Sequence, residues 1–539
     1  MFPLLFLAWR GGAKVRLWSV GLFALATGAS LAVALAQAQV PGREIASFYL
    51  TTTRFWQLGL GVLLYQAMSL AGRKGRSVFA TGLPLPPMLR ALLLPVALGL
   101  IGFGLWSARP GHSPWPDGLW PVLGTLGVIA LLHHHATGVV GRVLGSPGVV
   151  AIGRWSYSLY LWHWPVLVLL RWTVGLDSPW IKLFAVVATF ALAIASYRWI
   201  ELPWRHRPLR VGRSGRVVVV GLACLVVGAG VQSALANNAP RHVSLSTVSR
   251  HPLDWYAYAR GLRKELPNCR QATENRQVEG ALVRGFSRGQ CDLPPGDGRT
   301  LFVVGDSHAL AYNELLRRYA VLQGESVQLY AVGGCAIANL PQWQGPTAQC
   351  QAFLQAALAD VSQRARPGDV LLLPGLRVPR LADQDQRFAL ADNLSQMRDT
   401  AAVQGRAAQV EATVAQLRPL DAQGVRIVFE APKPILPAPP YRCSDWFNRG
   451  NAICSDGLSI DRVTMEAYRA PALQDLQRIV AALPGASLWD PLPVLCPGAR
   501  CEAVQGGRPL FFDGDHLSGY GNRLLLPSLR AHLDRLPKP

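Results

Sequence analysis

Seven apolar runs, at 17–36, 54–70, 91–107, 119–135, 155–172, 181–200 and 217–236, limit what this chain can fold into more than any other feature. Each comes close to the roughly 20 residues that an α-helix needs to cross the ~30 Å hydrocarbon layer of a bilayer. The connections between them sort by charge. Stretches 10–16, 73–90, 142–154 and 205–216 together hold 14 Lys and Arg, whereas the alternate stretches 37–54, 107–118 and 171–182 hold five. Under the positive-inside rule the first set is cytoplasmic, so the seventh run delivers everything after it to the far side of the membrane. A soluble bundle of buried helices has no reason to sort its loops in this way. The opening run at 1–9 is only about 14 Å long as a helix, too short to span, and lacks the small-residue cleavage site of a signal peptide.

The charge balance points the same way. Residues 1–236 hold 20 Lys and Arg against 4 Asp and Glu, +16 of the total +21, and the other 303 residues hold 33 against 28. The excess belongs to the hydrophobic half, so the expected partner is a lipid bilayer and not nucleic acid. Cys224 lies in the last apolar run, and the other eight cysteines all follow it. An even count in an oxidising compartment reads as disulfides. Their grouping suggests the neighbouring pairs Cys269–Cys291, Cys335–Cys350, Cys443–Cys454 and Cys496–Cys501. No Cys and His group has zinc-ligand spacing, so no metal is expected.

Within the exported part, LFVVGDSHAL (301–310) is a short apolar strand that ends in glycine and opens into a helix. That turn sets Ser307 at the exposed end of a sheet, against helix N–H groups. Far along the chain, FFDGDHLSGYGN (511–522) holds Asp513 and His516 three residues apart. One turn can point both side chains the same way, the carboxylate fixing the imidazole tautomer while the other ring nitrogen takes a serine proton. Each half alone also reads as helix capping or turn chemistry. Together, in this order and at the two ends of one segment, they resemble the SGNH hydrolase family, which implies Ser307 as nucleophile, His516 as base and Asp513 as its orienter.

Between them, apolar strands at 301–305, 326–332, 369–375, 425–432 and 487–491 alternate with amphipathic helices, a long one expected near 386–419, the pattern of a parallel sheet covered on both faces. Backbone N–H groups of GGC (333–335) suit an oxyanion, and Gly333 or Gly334 matches the family's glycine block. Where the family has an asparagine block, this chain reads PGLRVPR (374–380), and Arg377 is the candidate substitute donor or holder of an anionic sugar. The segment 237–298, rich in Pro, Gly and polar residues, reads as a tether with one short helix at 252–265.

The membrane half carries a second resemblance. TTTRFWQLGLGVLLYQ (51–66), with Arg54 at the outer mouth of a span, GRWSYSLYLWHWPV (153–166), with His163 near a span's centre, and YRWIELPWR (197–205) resemble acyltransferase family 3. An ionisable residue inside a span is a functional candidate, though His163 also reads as a packed core histidine. The triplet His133–His135, at a span's cytoplasmic end, reads as solvated. The fold expected is a multi-span α-helical membrane domain (1–236), a periplasmic extension (237–298) and a three-layer α/β SGNH domain (299–539). In that family the catalytic histidine comes from earlier helices. PLLFLAW (3–9) resembles the tail of the family's glutamate-containing helix, so the chain is expected to be N-terminally truncated or half of a split system, with a separate chain supplying the missing helices.

What the combination implies is O-acylation, most often O-acetylation, of lipopolysaccharide O-antigen or another envelope glycan by a multi-pass protein of the bacterial inner membrane, its C-terminal domain periplasmic. Cytoplasmic acetyl-CoA is the implied donor, with no tightly bound cofactor. Two alternatives stay open: a membrane-tethered periplasmic carbohydrate esterase, and an inactive or partial acyltransferase.

Overall fold

A computed structural model describes residues 13–38, 44–73, 76–109, 112–134, 138–205, 214–258, 261–279, 281–341 and 346–537. The apolar opening at 1–9 and His135 lie outside them. All seven apolar runs form helices: α1 (Ala13–Ala38), α2 (Thr51–Leu70), α3 (Pro87–Ser107), α4 (Leu119–Leu132), α5 (Pro147–Thr173), α6 (Pro179–Ser196) and α7 (Ser214–His242). Among the described residues three stretches are long and apolar enough to cross a bilayer, Val15–Ala38, Pro87–Ser107 and Pro179–Glu201. Seven had been expected. The shortfall has a composition behind it: α2 carries three threonines, Arg54, Gln57 and Gln66, and α5 carries Arg154, His163 and a row of Trp and Tyr. The helix α4 has 14 residues, and the apolar part of α7 narrows to Gly221–Asn237.

Contacts divide the chain into two units, one ending at Tyr157 and one beginning at Ser158. In the first unit α1 packs on α2 and α3 on α4. With no hydrophobic drive between helices in lipid, small residues and interhelical hydrogen bonds hold such pairs. Ser30 Oγ donates to the Thr52 carbonyl (2.7 Å), and Gln66 reaches Ser19 Oγ (3.2 Å). A Cβ on Gly124 of α4 would stand 2.5 Å from the Ala97 carbonyl of α3. Leu25, Leu105, Trp106 and, in the second unit, Phe184 turn outward and are exposed, which suits a hydrocarbon surround.

The second unit is built on a seven-stranded sheet. Its strands are β1 (Gln271–Val278), β2 (Ala281–Arg288), β3 (Thr300–Gly305), β4 (Ser326–Ala331), β5 (Val370–Leu373), β6 (Arg426–Glu430) and β7 (Ala486–Trp489), in the order β7-β6-β5-β3-β4-β2-β1. From β7 to β4 all pairs are parallel, while β2 pairs antiparallel with β4 and with β1. Side chains alternate across the sheet with period two. Leu301, Val303, Val370, Leu372 and Val428 face α9 (Asn313–Gln323) and α14 (Gly519–Asp534); α9 follows α8 (Ser307–Ala311). Phe302, Val304, Leu371, Leu373, Ile427 and Phe429 face α10 (Ala348–Arg364), α12 (Thr400–Ala422) and α13 (Arg462–Ala481), with α11 (Leu390–Arg398) preceding α12. Both faces are therefore covered, and the middles of β3, β5 and β6 are continuous apolar runs.

Two features of the fold differ from the sequence reading. Among the described residues, the stretch 237–298 holds not one helix over 252–265 but three single turns, Thr247–Arg250, Pro252–Trp255 and Leu262–Glu265, followed by the β1–β2 hairpin that completes the sheet. That hairpin is an edge, so β1 (QATENRQV) needs no apolar face and gives no apolar signal. The expected long helix near 386–419 is instead the pair α11 and α12, with Asp399 extended between them. Outside the apolar runs, the cysteines stand as Cys269–Cys291, Cys335–Cys350, Cys443–Cys454 and Cys496–Cys501, with Cα–Cα separations of 4.1, 5.4, 5.5 and 4.5 Å.

Candidate active site

The sheet order reverses at β3: β4 lies on one side of it and β5 on the other. A doubly wound sheet opens a crevice at the carboxyl ends of its strands at such a point. Gly305 is the last residue of β3, and it has to be glycine, because a Cβ there would sit 2.3 Å from the Pro374 carbonyl just past β5. Gly305→Ala is expected to wedge the two strand ends apart, costing about 1–3 kcal/mol of stability. A lower melting temperature of the variant would show it.

Asp306 then caps α8, its carboxylate accepting the His308 N–H (2.8 Å) and the Leu376 N–H (3.0 Å), so it ties the β3 and β5 loops together. Burial alone would raise its pKa, but the neighbouring His308 imidazole and these N–H bonds leave it below the usual carboxylate value. Ser307 is the first residue of α8. Its Oγ lies 2.8 Å from Nε2 of His516, and Nδ1 of His516 lies 2.9 Å from Oδ2 of Asp513. The Asp513 carboxylate also accepts the backbone N–H groups of Asp515 (3.1 Å) and His516 (2.7 Å), a local turn that fixes the direction of the imidazole. A cavity of about 330 Å³ opens over this row, walled by Trp255, Tyr256, Tyr258, Leu310 and Phe512. The three residues singled out in the sequence thus meet as hydroxyl, imidazole and carboxylate in series. Such a series can activate a hydroxyl for attack on an ester or thioester carbonyl.

Three residues that the sequence reading passed over complete the surround. Asp515 Oδ1 is 3.1 Å from His516 Nδ1, so the ring N–H is shared between two carboxylates. The other oxygen of Asp515 lies 2.6 Å from Arg380 Nε and 3.3 Å from His308 Nε2. The His308 ring stacks on the His516 ring at 4.5 Å and 23°. Burial pushes the His308 pKa down and keeps it neutral. Burial also works against a charge on His516, but the hydrogen bonds to Asp513 and Asp515 outweigh it and raise the pKa to about 10. Burial would lift the Asp515 carboxyl, yet its bonds to His308 and His516 hold it well below the usual range. The signal lay in the motifs themselves, the histidine of GDSH and the second aspartate of DGDH. Among the described residues His308, Asp515 and His516 are the group whose ligand atoms come within 4.8 Å of one another. With the Arg380 guanidinium already on the carboxylate of Asp515, they make a hydrogen-bonded network and a poor cation cage.

The remaining candidates are placed as follows. The Val332 N–H donates to the Gly305 carbonyl (3.2 Å), so the loop carrying Gly333 and Gly334 leaves β4 beside the end of β3. Gly334 has φ +77°, and a Cβ on either glycine would meet open space. Arg377 does not fit the role of oxyanion donor or sugar holder. It is 2% exposed, and its guanidinium donates inward to the carbonyls of Ile337, Ala338 (2.8 Å) and Leu373 (2.6 Å). Buried carbonyls need donors, and the inward-turned guanidinium serves three of them. In the first unit Arg54 lies 4.0 Å over the Phe48 ring. In the second, His163 Nδ1 meets the Tyr160 carbonyl of its own helix at 2.7 Å, and His133 and His134, in the first, both reach the Phe79 carbonyl.

Residues 268–531 match the family model described as SGNH domain (fused to AT3 domains). Among curated proteins, the chain is 31% identical over 106 residues to O-acetyltransferase OatA of Staphylococcus aureus (strain NCTC 8325 / PS 47), covering 18% of this chain and 17% of that protein. It is 27% identical over 154 residues to peptidoglycan O-acetyltransferase OatA of Listeria monocytogenes serovar 1/2a (strain ATCC BAA-679 / EGD-e), covering 24% of each. The alignments thus span about a sixth to a quarter of those relatives' length. Among solved structures, TT1662 from Thermus thermophilus aligns at 14% identity and a TM-score of 0.22, over 49% of this chain and 99% of that one.

Proposed function

We propose that this protein transfers an acyl group, most simply acetyl, to a hydroxyl of an envelope polysaccharide, with Ser307 as the nucleophile of its exported domain. The observation that carries the reading is the unbroken series Ser307, His516, Asp513 at the switch point of the sheet. An SGNH match over 268–531 and O-acetyltransferase relatives support acyl chemistry. In the first half-reaction His516 takes the Ser307 proton as Oγ attacks the donor's carbonyl carbon. The tetrahedral oxyanion forms against backbone N–H groups, with those of Ser307 and of the Gly333–Gly334 loop proposed as donors. Its collapse leaves an ester on Ser307, and the proton goes to the leaving group. In the second half-reaction the acceptor's hydroxyl gives its proton to His516 and attacks that ester, which returns Ser307 free.

The membrane half is proposed to bring the acyl group outward from cytoplasmic acetyl-CoA, in a bacterial inner membrane, with the SGNH domain in the periplasm. O-antigen lipopolysaccharide is the acceptor proposed first. Transfer demands that the sugar hydroxyl outcompete water at the ester on Ser307. The test is the purified full chain with an aryl acetate, with and without a polysaccharide acceptor. Acetyl recovered on the glycan supports transfer, and release of acetate alone, unchanged by glycan, would make the protein an esterase.

A further inference from the structure

The turn that follows α5 makes a set of contacts that the reactions above do not use. Helices end with carbonyl groups that have no partner within the helix. At the end of α5 the Leu170 carbonyl is taken by the N–H groups of Val174 (3.1 Å) and Gly175 (2.8 Å). The Arg171 carbonyl is instead taken by two side chains of the SGNH domain, Arg442 Nη2 (2.9 Å) and Asn451 Nδ2 (2.8 Å). Both side chains are buried, at 4% and 5% exposure, and the Arg442 guanidinium brings a positive charge to the negative end of the helix dipole. The same guanidinium lies 4.6 Å over the Trp172 ring and is oriented by the Gln384 carbonyl (2.6 Å) and Asp385 (3.1 Å). Gly175, at φ +84°, passes so close to Asn451 that a Cβ would stand 3.3 Å from its Oδ1.

From this clamp an unbroken row of rings runs to the cavity over Ser307. Trp172 meets Tyr441 edge-on at 5.9 Å, Tyr441 stacks flat on Phe512 at 4.7 Å and 6°, and Phe512 meets Tyr256 at 5.4 Å. Phe512 and Tyr256 are cavity walls, and Phe512 precedes Asp513. Backbone bonds tie the same row: the Tyr441 N–H donates to the Phe512 carbonyl (2.9 Å), and the Phe512 N–H donates to the His516 carbonyl (2.8 Å).

We propose that the 171–175 turn is the dock on which the SGNH domain seats against the outer end of α5, and that this seat sets Ser307 where the membrane half hands over its acyl group. This rests on the acyltransferase reading above. A soluble ester reaches the cavity directly and bypasses the dock, whereas an acyl group delivered through the membrane depends on it. Trp172, Arg442 and Asn451 are thus positioning residues for transfer and not for hydrolysis.

The test uses the full chain, in cells for glycan acetylation and in detergent for aryl acetate hydrolysis. Trp172→Ala and Asn451→Ala are each expected to lower glycan acetylation at least tenfold while hydrolysis stays within twofold, with Trp172→Phe restoring transfer. Asn451 comes from the SGNH domain, so a matching loss there separates docking from simple anchoring of Trp172 at the bilayer surface. Amide exchange over 174–178 is expected to quicken in both alanine variants. Acetylation within twofold of wild type, hydrolysis falling in parallel with transfer, or unchanged exchange would each overturn the dock. Failure of the underlying reading looks different, because then Ser307→Ala leaves acetylation untouched.

Discussion

Ser307→Ala is expected to abolish aryl acetate hydrolysis and, on the function proposed above, glycan acetylation alike, with kcat falling on the order of a millionfold. The size of the effect follows from what the hydroxyl is doing. Its Oγ is the atom 2.8 Å from the base, and alanine removes the nucleophile while leaving the His516–Asp513 pair, the cavity and the sheet edge in place. The variant should melt close to the wild type, since the His516 Nε2 left without the hydroxyl lines the cavity, where water can take its place. Asp513→Asn keeps the shape of the turn but lets the imidazole take the wrong tautomer, a loss of about 10⁴ in comparable triads. Kinetics on the purified full chain check both. Residual hydrolysis within tenfold of wild type in Ser307→Ala would remove Ser307 from the mechanism.

The second large effect is in the pH profile. His516 acts as a base only when neutral, and two carboxylates raise its pKa to about 10 despite its burial. A group with a raised pKa is protonated below that value, so hydrolysis is expected to climb about tenfold per pH unit from neutrality and level off near pH 10. The groups facing the ring set this balance: Asp513 and Asp515 on its own loop, His308 from α8, Ser307 opposite, and Arg380 behind Asp515. Asp515→Asn removes one of the two negative charges while keeping the side chain's shape, so the midpoint moves to lower pH by at least about one unit. A purely structural role for Asp515 would lower the rate at every pH and leave the midpoint where it was. A rate that is flat between pH 7 and 10 in the wild type would refute the assignment of Asp515 as a second carboxylate on the imidazole.

Some of this was legible in the residues alone. The parallel strands announce themselves because the middle of a strand buried on both faces has to be apolar, as LFVV of β3, VLLL of β5 and IVF of β6 are. The hairpin β1–β2 escaped notice for the converse reason, since an edge strand with one neighbour keeps its polar residues. Arg377 was misjudged as an oxyanion donor or sugar holder because an arginine in a loop just past a strand looks free to reach into the site. Only the packed structure shows three carbonyls converging on its guanidinium.

Ser307, Asp513 and His516 could be picked from the chain because each sits in a local motif whose geometry is decided within a few residues: a strand-to-helix turn and an Asp-x-x-His turn. Local sequence also settles that seven apolar helices precede an α/β domain, because helix period and bilayer-scale length are properties of neighbouring residues. Tertiary structure alone decided that the two motifs meet, that Asp515 shares the imidazole with Asp513 while Arg380 and His308 hold its far side, and that a turn at the end of α5 reaches Arg442 and Asn451. Those are contacts between residues far apart in the chain, and no local propensity encodes them. They exist only where the sheet order and the packing of both its faces have already placed the backbone.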